Sequence, residues 1–184
     1  GDTKDTAITV LKPRSRSDKL VVIDAGHGGS ETGAIYYGLY EKDFNLDIAT
    51  RLNNLLRSKG INTYMTREDD SFVGLYERAY IANKLNATLF LSVHNNASEN
   101  KNANGTMSLY FPSRSSGGRF TGKRFAQITQ DCMLDSLKTK DLKIIERPNL
   151  VVLKATTMPS TLAEVAFMSN DSDREKLQSA QFRQ

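Results

Sequence analysis

From Lys19 onward the chain alternates two hydrophobic patterns. LVVID (20–24), INTYMT (61–66), TLFLSVH (88–94) and TMSLYFP (106–112) read as strands, and LVVID and TLFLSVH carry the apolar runs of strands buried on both faces. Between them run segments of helical period. EKDFNLDIATRLNNLLRSKG (41–60) puts Phe44, Ile48, Leu52 and Leu55 on one face and stops at Gly60. GLYERAYIANKLN (74–86) turns Leu75, Ala79, Ala82 and Leu85 inward. Residues 119–138 make a third helix with Phe125, Ile128, Cys132 and Leu137 along its inner side. LVVLKA (150–155) and TLAEVAF (161–167) close the series. This alternation predicts an α/β fold in three layers, a mixed and mainly parallel sheet of about six strands with helices on both faces. There is no internal repeat and no low-complexity tract.

Length and composition narrow this to one domain. The 184 residues support one sizeable core, placed at 19–184, with the polar residues 1–18 (TKDT, KPRSRSD) as a linker remnant or a weak edge strand. No apolar run is long enough to span a bilayer, so no membrane insertion is expected. The start, GDTKDTAITV, has no basic region followed by an apolar stretch, so the chain is cytosolic or exported with its leader removed. The single cysteine, Cys132, cannot form an intrachain disulfide and fits the apolar face of its helix. The net charge of +4 would favour an anionic polymer, but no aromatic–basic interleaving argues for nucleic acid.

Chemistry gathers at the strand ends. In open α/β sheets ligands bind beyond the carboxyl ends of the strands. Both histidines of the chain fall there: His27 after VVIDA in a glycine-ringed turn, and His94 at the end of TLFLSVH, followed by Asn95 and Asn96. Two imidazoles can start a zinc site, which needs a further ligand, usually a carboxylate in hydrolases. Glu41, opening the first long helix, is a candidate, although the helix dipole alone favours an acid in a first turn. Glu164 lies between Ala163 and Val165 in an apolar strand, where a lone carboxylate is costly. It reads either as half of an ion pair with Arg147 or Lys154, or as a general base tuned by its surroundings. GHGGSETG does not fit a phosphate-binding turn, because IYYGLY separates it from the helix and the Walker lysine is absent.

Taken in order, these segments resemble the zinc-dependent N-acetylmuramoyl-L-alanine amidases of the amidase-3 type, which are peptidoglycan hydrolases. VVIDAGHGG is similar to the family's first ligand segment and Gly38 to Leu46, containing EKDFNL, to its second. TREDDSFVGLYERAYIAN, LFLSVHNNA and VLKATTMPSTLAEVAFMSN are similar to the segments that follow, so the resemblance runs from Lys19 to Asn170. It implies that His27, Glu41 and His94 hold zinc (Zn2+) and that Glu164 is the catalytic acid/base. Three departures stand out: Ala166 where glycine is common, Asn95 where alanine is usual, and an end at QSAQFRQ where the family continues into a last helix.

The resemblance implies hydrolysis of the amide between the lactyl group of N-acetylmuramic acid and L-alanine of the stem peptide. Peptidoglycan is then the partner, with Asn95, Asn96 and the 95–105 loop lining the groove. A secreted, cell-wall monomer is expected, with no nucleic-acid partner. No activator protein is expected either, because SRSSGG (113–118) is too short to form a helix that plugs the site. Arg67, Asp69 and Arg78 are expected to brace the loop, and Asp24 to accept backbone hydrogen bonds in the turn or to support His27. The alternatives are another zinc hydrolase of the wall (a peptidase or polysaccharide deacetylase) and a non-catalytic wall-binding module.

Overall fold

The computed structural model describes residues 19–113 and 119–184. The reading of residues 1–18 therefore lies outside the described residues, as does SRSSGG apart from Ser113. Six strands form one sheet: β1 (Val21–Ala25), β4 (Thr63–Met65), β5 (Leu89–Asn96), β6 (Thr106–Tyr110), β7 (Asp141–Glu146) and β8 (Ser160–Phe167). Their order is β4-β1-β5-β8-β6-β7. The first four in that order are parallel, β6 is antiparallel to β8, and β7 is parallel to β6. A two-stranded ribbon of β2 (Ile35–Tyr36) and β3 (Leu39–Tyr40) leads into helix α1 (Glu41–Ser58). The remaining helices are α2 (Leu75–Lys84), α3 (Gly122–Leu137), α4 (Val151–Lys154), α5 (Asp171–Leu177) and α6 (Ala180–Arg183). The mixed, mostly parallel sheet with helices on both faces is the architecture the periodicity predicts.

Burial follows from the strand patterns. Val22, Ile23, Ala25 and Phe90 are wholly inaccessible, as expected where helices cover both faces. One core layer joins Val22, Phe90, Leu109 and Leu162 to Ile81 and Ala82 of α2 and to Val152 and Leu153 of α4. The other joins Ile23, Val93 and Val165 to Phe44 and Ala49 of α1, with Met133 and Leu137 of α3 at its margin.

Two elements go beyond the sequence pattern. LVVLKA, an apolar run given no element type, makes the single helical turn α4, which buries Val152 and Leu153 against α2. A short apolar run has too little period to separate helix from strand. The sixth strand is DLKIIE (141–146), an edge strand with a register shift opposite Thr106–Ser108 and a positive φ of 70° at Lys143.

The helix faces also turn. The buried side of α1 is Glu41, Phe44, Asn45, Ala49 and Asn53, and Leu55 is exposed. Polar positions face inward there because they are satisfied: Asn53 Oδ1 accepts from Thr63 Oγ1 at 2.6 Å. Arg78 takes the buried place on α2, and Leu75 is exposed. On α3, Ala126 and Gln130 are buried, whereas Cys132 and Ile128 are exposed along an apolar groove between α1 and α3. Gln130 bonds Ser108 Oγ, the Thr106 carbonyl and Asp141, which makes its burial tolerable.

Candidate active site

The carboxyl ends of β1, β5 and β8 share one edge of the sheet, and the chain beyond β1 is bent there by force of sequence. His27 has φ 61°, an unusual value for a residue with a side chain, and Gly28 and Gly29 follow at 131° and 58°. Glycines are needed here for space as well. A side chain at Gly26 would enter the His94 imidazole, and one at Gly33 (φ 66°) would strike the Glu41 carboxylate and the His27 ring.

Two buried arginines hold this turn. Arg67 donates to the carbonyls of Ala25, Gly26, Lys42 and Asp69, each at 2.9 Å. Arg78 donates to the carbonyls of Ala25 (2.6 Å) and His27 (2.8 Å) and to the Asp24 carboxylate at 2.9 Å. Both arginines brace the loop as expected, while Asp69 contributes only its backbone carbonyl. Asp24 accepts from side chains, Thr66 Oγ1 (2.6 Å) and Ser92 Oγ (2.7 Å) besides Arg78, and not from backbone amides. Burial works against its charge, but Arg78, Ser92 and Thr66 together hold its pKa below the usual value.

Glu41 sits where this loop meets α1. The first amides of α1 are satisfied by loop carbonyls, Glu41 N to Ala34 O at 2.9 Å and Lys42 N to Thr32 O at 3.1 Å. The Glu41 carboxylate is gripped by Ala34 N (3.1 Å), Asn45 Nδ2 (3.0 Å) and Asn95 N (3.2 Å). It reaches both imidazoles, with Oε1 3.3 Å from His27 Nε2 and Oε2 3.2 Å from His94 Nδ1. The two rings stand edge to face, 5.0 Å apart. One ligand atom from each of His27, Glu41 and His94 can be chosen so that all lie within 4.8 Å of one another. Burial opposes ionisation of Glu41, yet the two histidines beside it hold its pKa far below the ordinary carboxylate value. Burial likewise opposes the charged form of His27, but Glu41 and Glu31 raise its pKa.

Glu31 was not apparent in the sequence. Its Oε1 lies 2.7 Å from His27 Nδ1, the ring nitrogen turned away from Glu41. A one-residue β-bridge between Gly28 and Glu31 delivers it there, so its role depends on loop geometry that spacing alone does not reveal. Asn45 was more legible, since it lies four residues after Glu41 and hence on the same face of α1.

Glu164 stands in register with His94 on β5 and Met107 on β6. The β5–β8 register shifts just beyond it, between His94 and Asn96, and such irregularities re-aim side chains beside functional sites. Glu164 Oε2 is shut off from solvent and has no hydrogen-bond partner among the described residues. Burial pushes its pKa up to about 7; the nearby Glu41 charge adds to this, while His94, His27 and, weakly, Arg147 oppose it. Neither Arg147 nor Lys154 forms an ion pair with it among the described residues.

The two asparagines divide. Asn95 is 3% exposed and lies beneath the site, bonding Asn45 Oδ1 at 3.0 Å, so it braces Glu41 rather than lining a groove. The alternation of β5 explains this, because neighbouring side chains on a strand point to opposite faces. Asn96 is half-buried on the other face and reaches Met107 Sδ at 3.6 Å.

Two imidazoles and a carboxylate converging at strand ends, with a second carboxylate held without an ion pair nearby, are the parts of a hydrolase built on an α/β sheet, with a donor set that fits a zinc ion. Comparison with known proteins makes this specific. Residues 21–184 match the Amidase_3 family, N-acetylmuramoyl-L-alanine amidase, and the chain belongs to that family. The uncharacterized protein YqiI of Bacillus subtilis is 39% identical over 166 residues, covering 90% of this chain and 78% of that one. The amidase LytC of the same organism is 37% identical over 90% of this chain, which spans 32% of its length. The catalytic domain of the amidase CwlV from Bacillus (Paenibacillus) polymyxa superposes with a TM-score of 0.83 at 34% identity, covering 90% of this chain and 89% of that domain. The reaction is hydrolysis of the amide between the lactyl group of N-acetylmuramic acid and L-alanine in peptidoglycan.

Proposed function

We propose that His27, Glu41 and His94 hold a zinc ion and that Glu164 is the acid/base of the amidase reaction. The observation that carries this is the pairing of a three-donor cluster with a carboxylate whose Oε2 is dry, unpartnered and raised to a pKa of about 7. Held by these three side chains, zinc would supply Lewis-acid polarisation of the lactyl carbonyl and would lower the pKa of the attacking water.

The chain's own residues do the rest. Glu31 fixes the orientation of the His27 ring through Nδ1, and Asn45 with the Asn95 amide fixes Glu41. The Glu164 carboxylate takes the proton of the attacking water and passes it to the leaving amine of alanine. A carboxylate poised near neutrality suits both halves of that task. Asn96 and the 97–105 loop flank the bound substrate. On this reading the site is open to substrate and needs no activator protein. A peptidoglycan substrate supports a secreted enzyme acting on the cell wall.

The test is metal titration with product analysis. Metal-free protein should bind one zinc and regain activity, and His27→Ala, Glu41→Ala and His94→Ala should each lose that zinc. The released peptide should carry a free N-terminal L-alanine, which separates an amidase from a wall peptidase or deacetylase. Full turnover by the metal-free protein would contradict the assignment.

A further inference from the structure

One surface is not used by this chemistry. Among the described residues, four of the eleven exposed large apolar side chains fall within residues 72–80: Phe72 (53% exposed), Leu75 (51%), Tyr76 (72%) and Tyr80 (47%). Phe72, Tyr76 and Tyr80 recur every four residues. Tyr76 and Tyr80 lie one helical turn apart on α2 and share its outer face, on the side away from buried Arg78. Neither phenol makes a hydrogen bond with any other described residue. Contiguous exposed apolar surface of this kind is what an interaction site presents.

The row is continuous with the active site. Phe72 packs on the glycine turn that carries His27: a side chain on Gly29 would meet the Phe72 backbone amide and Cβ at 2.8 and 3.3 Å. The preceding residues are tied to the same turn, with Asp70 Oδ1 accepting from Gly29 N at 2.8 Å. On the inner face of α2, Arg78 holds the His27 carbonyl. The row therefore starts at the lip of the metal cluster and runs down the outside of the helix.

We propose that Phe72, Tyr76 and Tyr80 form a platform for the glycan strand that flanks the scissile lactyl amide. This rests on the amidase reaction, whose substrate is a sugar polymer carrying peptides. A β-linked hexosamine presents an apolar C–H face and a rim of hydroxyls. A tyrosine presents an apolar ring face and a polar tip, and so matches both. Two rings on successive helical turns repeat at about 6 Å, comparable to the length of one pyranose ring. The platform adds affinity for long strands and nothing to the chemical step, so it sets a preference for polymer over fragment.

The experiment compares the full chain with its Tyr76→Ala/Tyr80→Ala variant on two substrates. On purified sacculi the variant should lose roughly tenfold or more in kcat/KM, chiefly through KM, as for removal of aromatic anchors from an interface. On a soluble N-acetylmuramoyl peptide of one sugar its rate should be unchanged. Co-sedimentation with glycan strands stripped of stem peptides should be retained by the wild type and by Tyr76→Phe/Tyr80→Phe, and lost in the alanine variant. Equal loss on both substrates, no loss on sacculi, or a wild type that does not bind peptide-free glycan would each overturn the proposal. A wild type inactive on both substrates but bound to stripped glycan would support the platform while refuting the amidase reading.

Discussion

Arg78 Nη1 donates to Asp24 Oδ1 at 2.9 Å, with side-chain exposures of 2% and 0%, and the same guanidinium holds the carbonyls on either side of Gly26. This buried pair joins β1 to α2 and fixes the turn that aims His27. Removing one member leaves an uncompensated charge in the core. Asp24→Asn or Arg78→Met should therefore cost about 3–5 kcal/mol in denaturant unfolding. A cost under about 1 kcal/mol would show that the pair is dispensable. Because the Asp24 pKa is lowered in the fold, its stabilising share is present above its unfolded value and is lost as pH falls through the folded one.

Glu31 should matter to metal affinity more than to folding. Its carboxylate is 47% exposed and bonds the second nitrogen of His27. Glu31→Ala should weaken zinc binding by about 10–100-fold, the usual cost of losing the partner that orients a histidine ligand. Its unfolding midpoint should stay close to wild type. Unchanged zinc affinity in competition with a chromophoric chelator would make Glu31 a bystander.

Much of this site could be read in the chain, and the limits have physical causes. His27, His94 and Glu164 were legible because polar residues at the ends or middle of apolar strands need a reason to be there. Their meeting point follows from strand order, with β5 between β1 and β8, which only the sheet reveals. Glu31 was hidden because a positive φ at His27 and the Gly28–Glu31 bridge bring it back to the ring. Asn95 was placed on the rim because its neighbour His94 lies in the site; strand alternation sends it to the opposite face. DLKIIE was missed since a half-exposed edge strand lacks an apolar run, and LVVLKA had too few residues to show its period.

The raised pKa of Glu164 predicts a stability difference in the metal-free protein. In the unfolded chain it titrates near 4.5, and in the fold near 7. Its contribution is thus fully present below the unfolded value and is lost as pH rises through the folded one. Glu164→Gln cannot ionise, so it should gain on the wild type between about pH 5 and about pH 8, by about 1–3 kcal/mol at the upper end. Urea midpoints at the two pH values measure this directly. A constant difference would mean that Glu164 is solvated in the fold.

The central claim is that Glu164 moves the proton while His27, Glu41 and His94 hold the metal. The most direct measurement is the turnover of Glu164→Gln, zinc-loaded, on a soluble N-acetylmuramoyl peptide, with bound zinc counted in the same sample. The account predicts unchanged zinc stoichiometry and a rate reduced by about 10²–10⁴-fold. A variant that keeps its zinc and turns over within about threefold of wild type would contradict it, leaving Glu164 a structural carboxylate and the acid/base elsewhere.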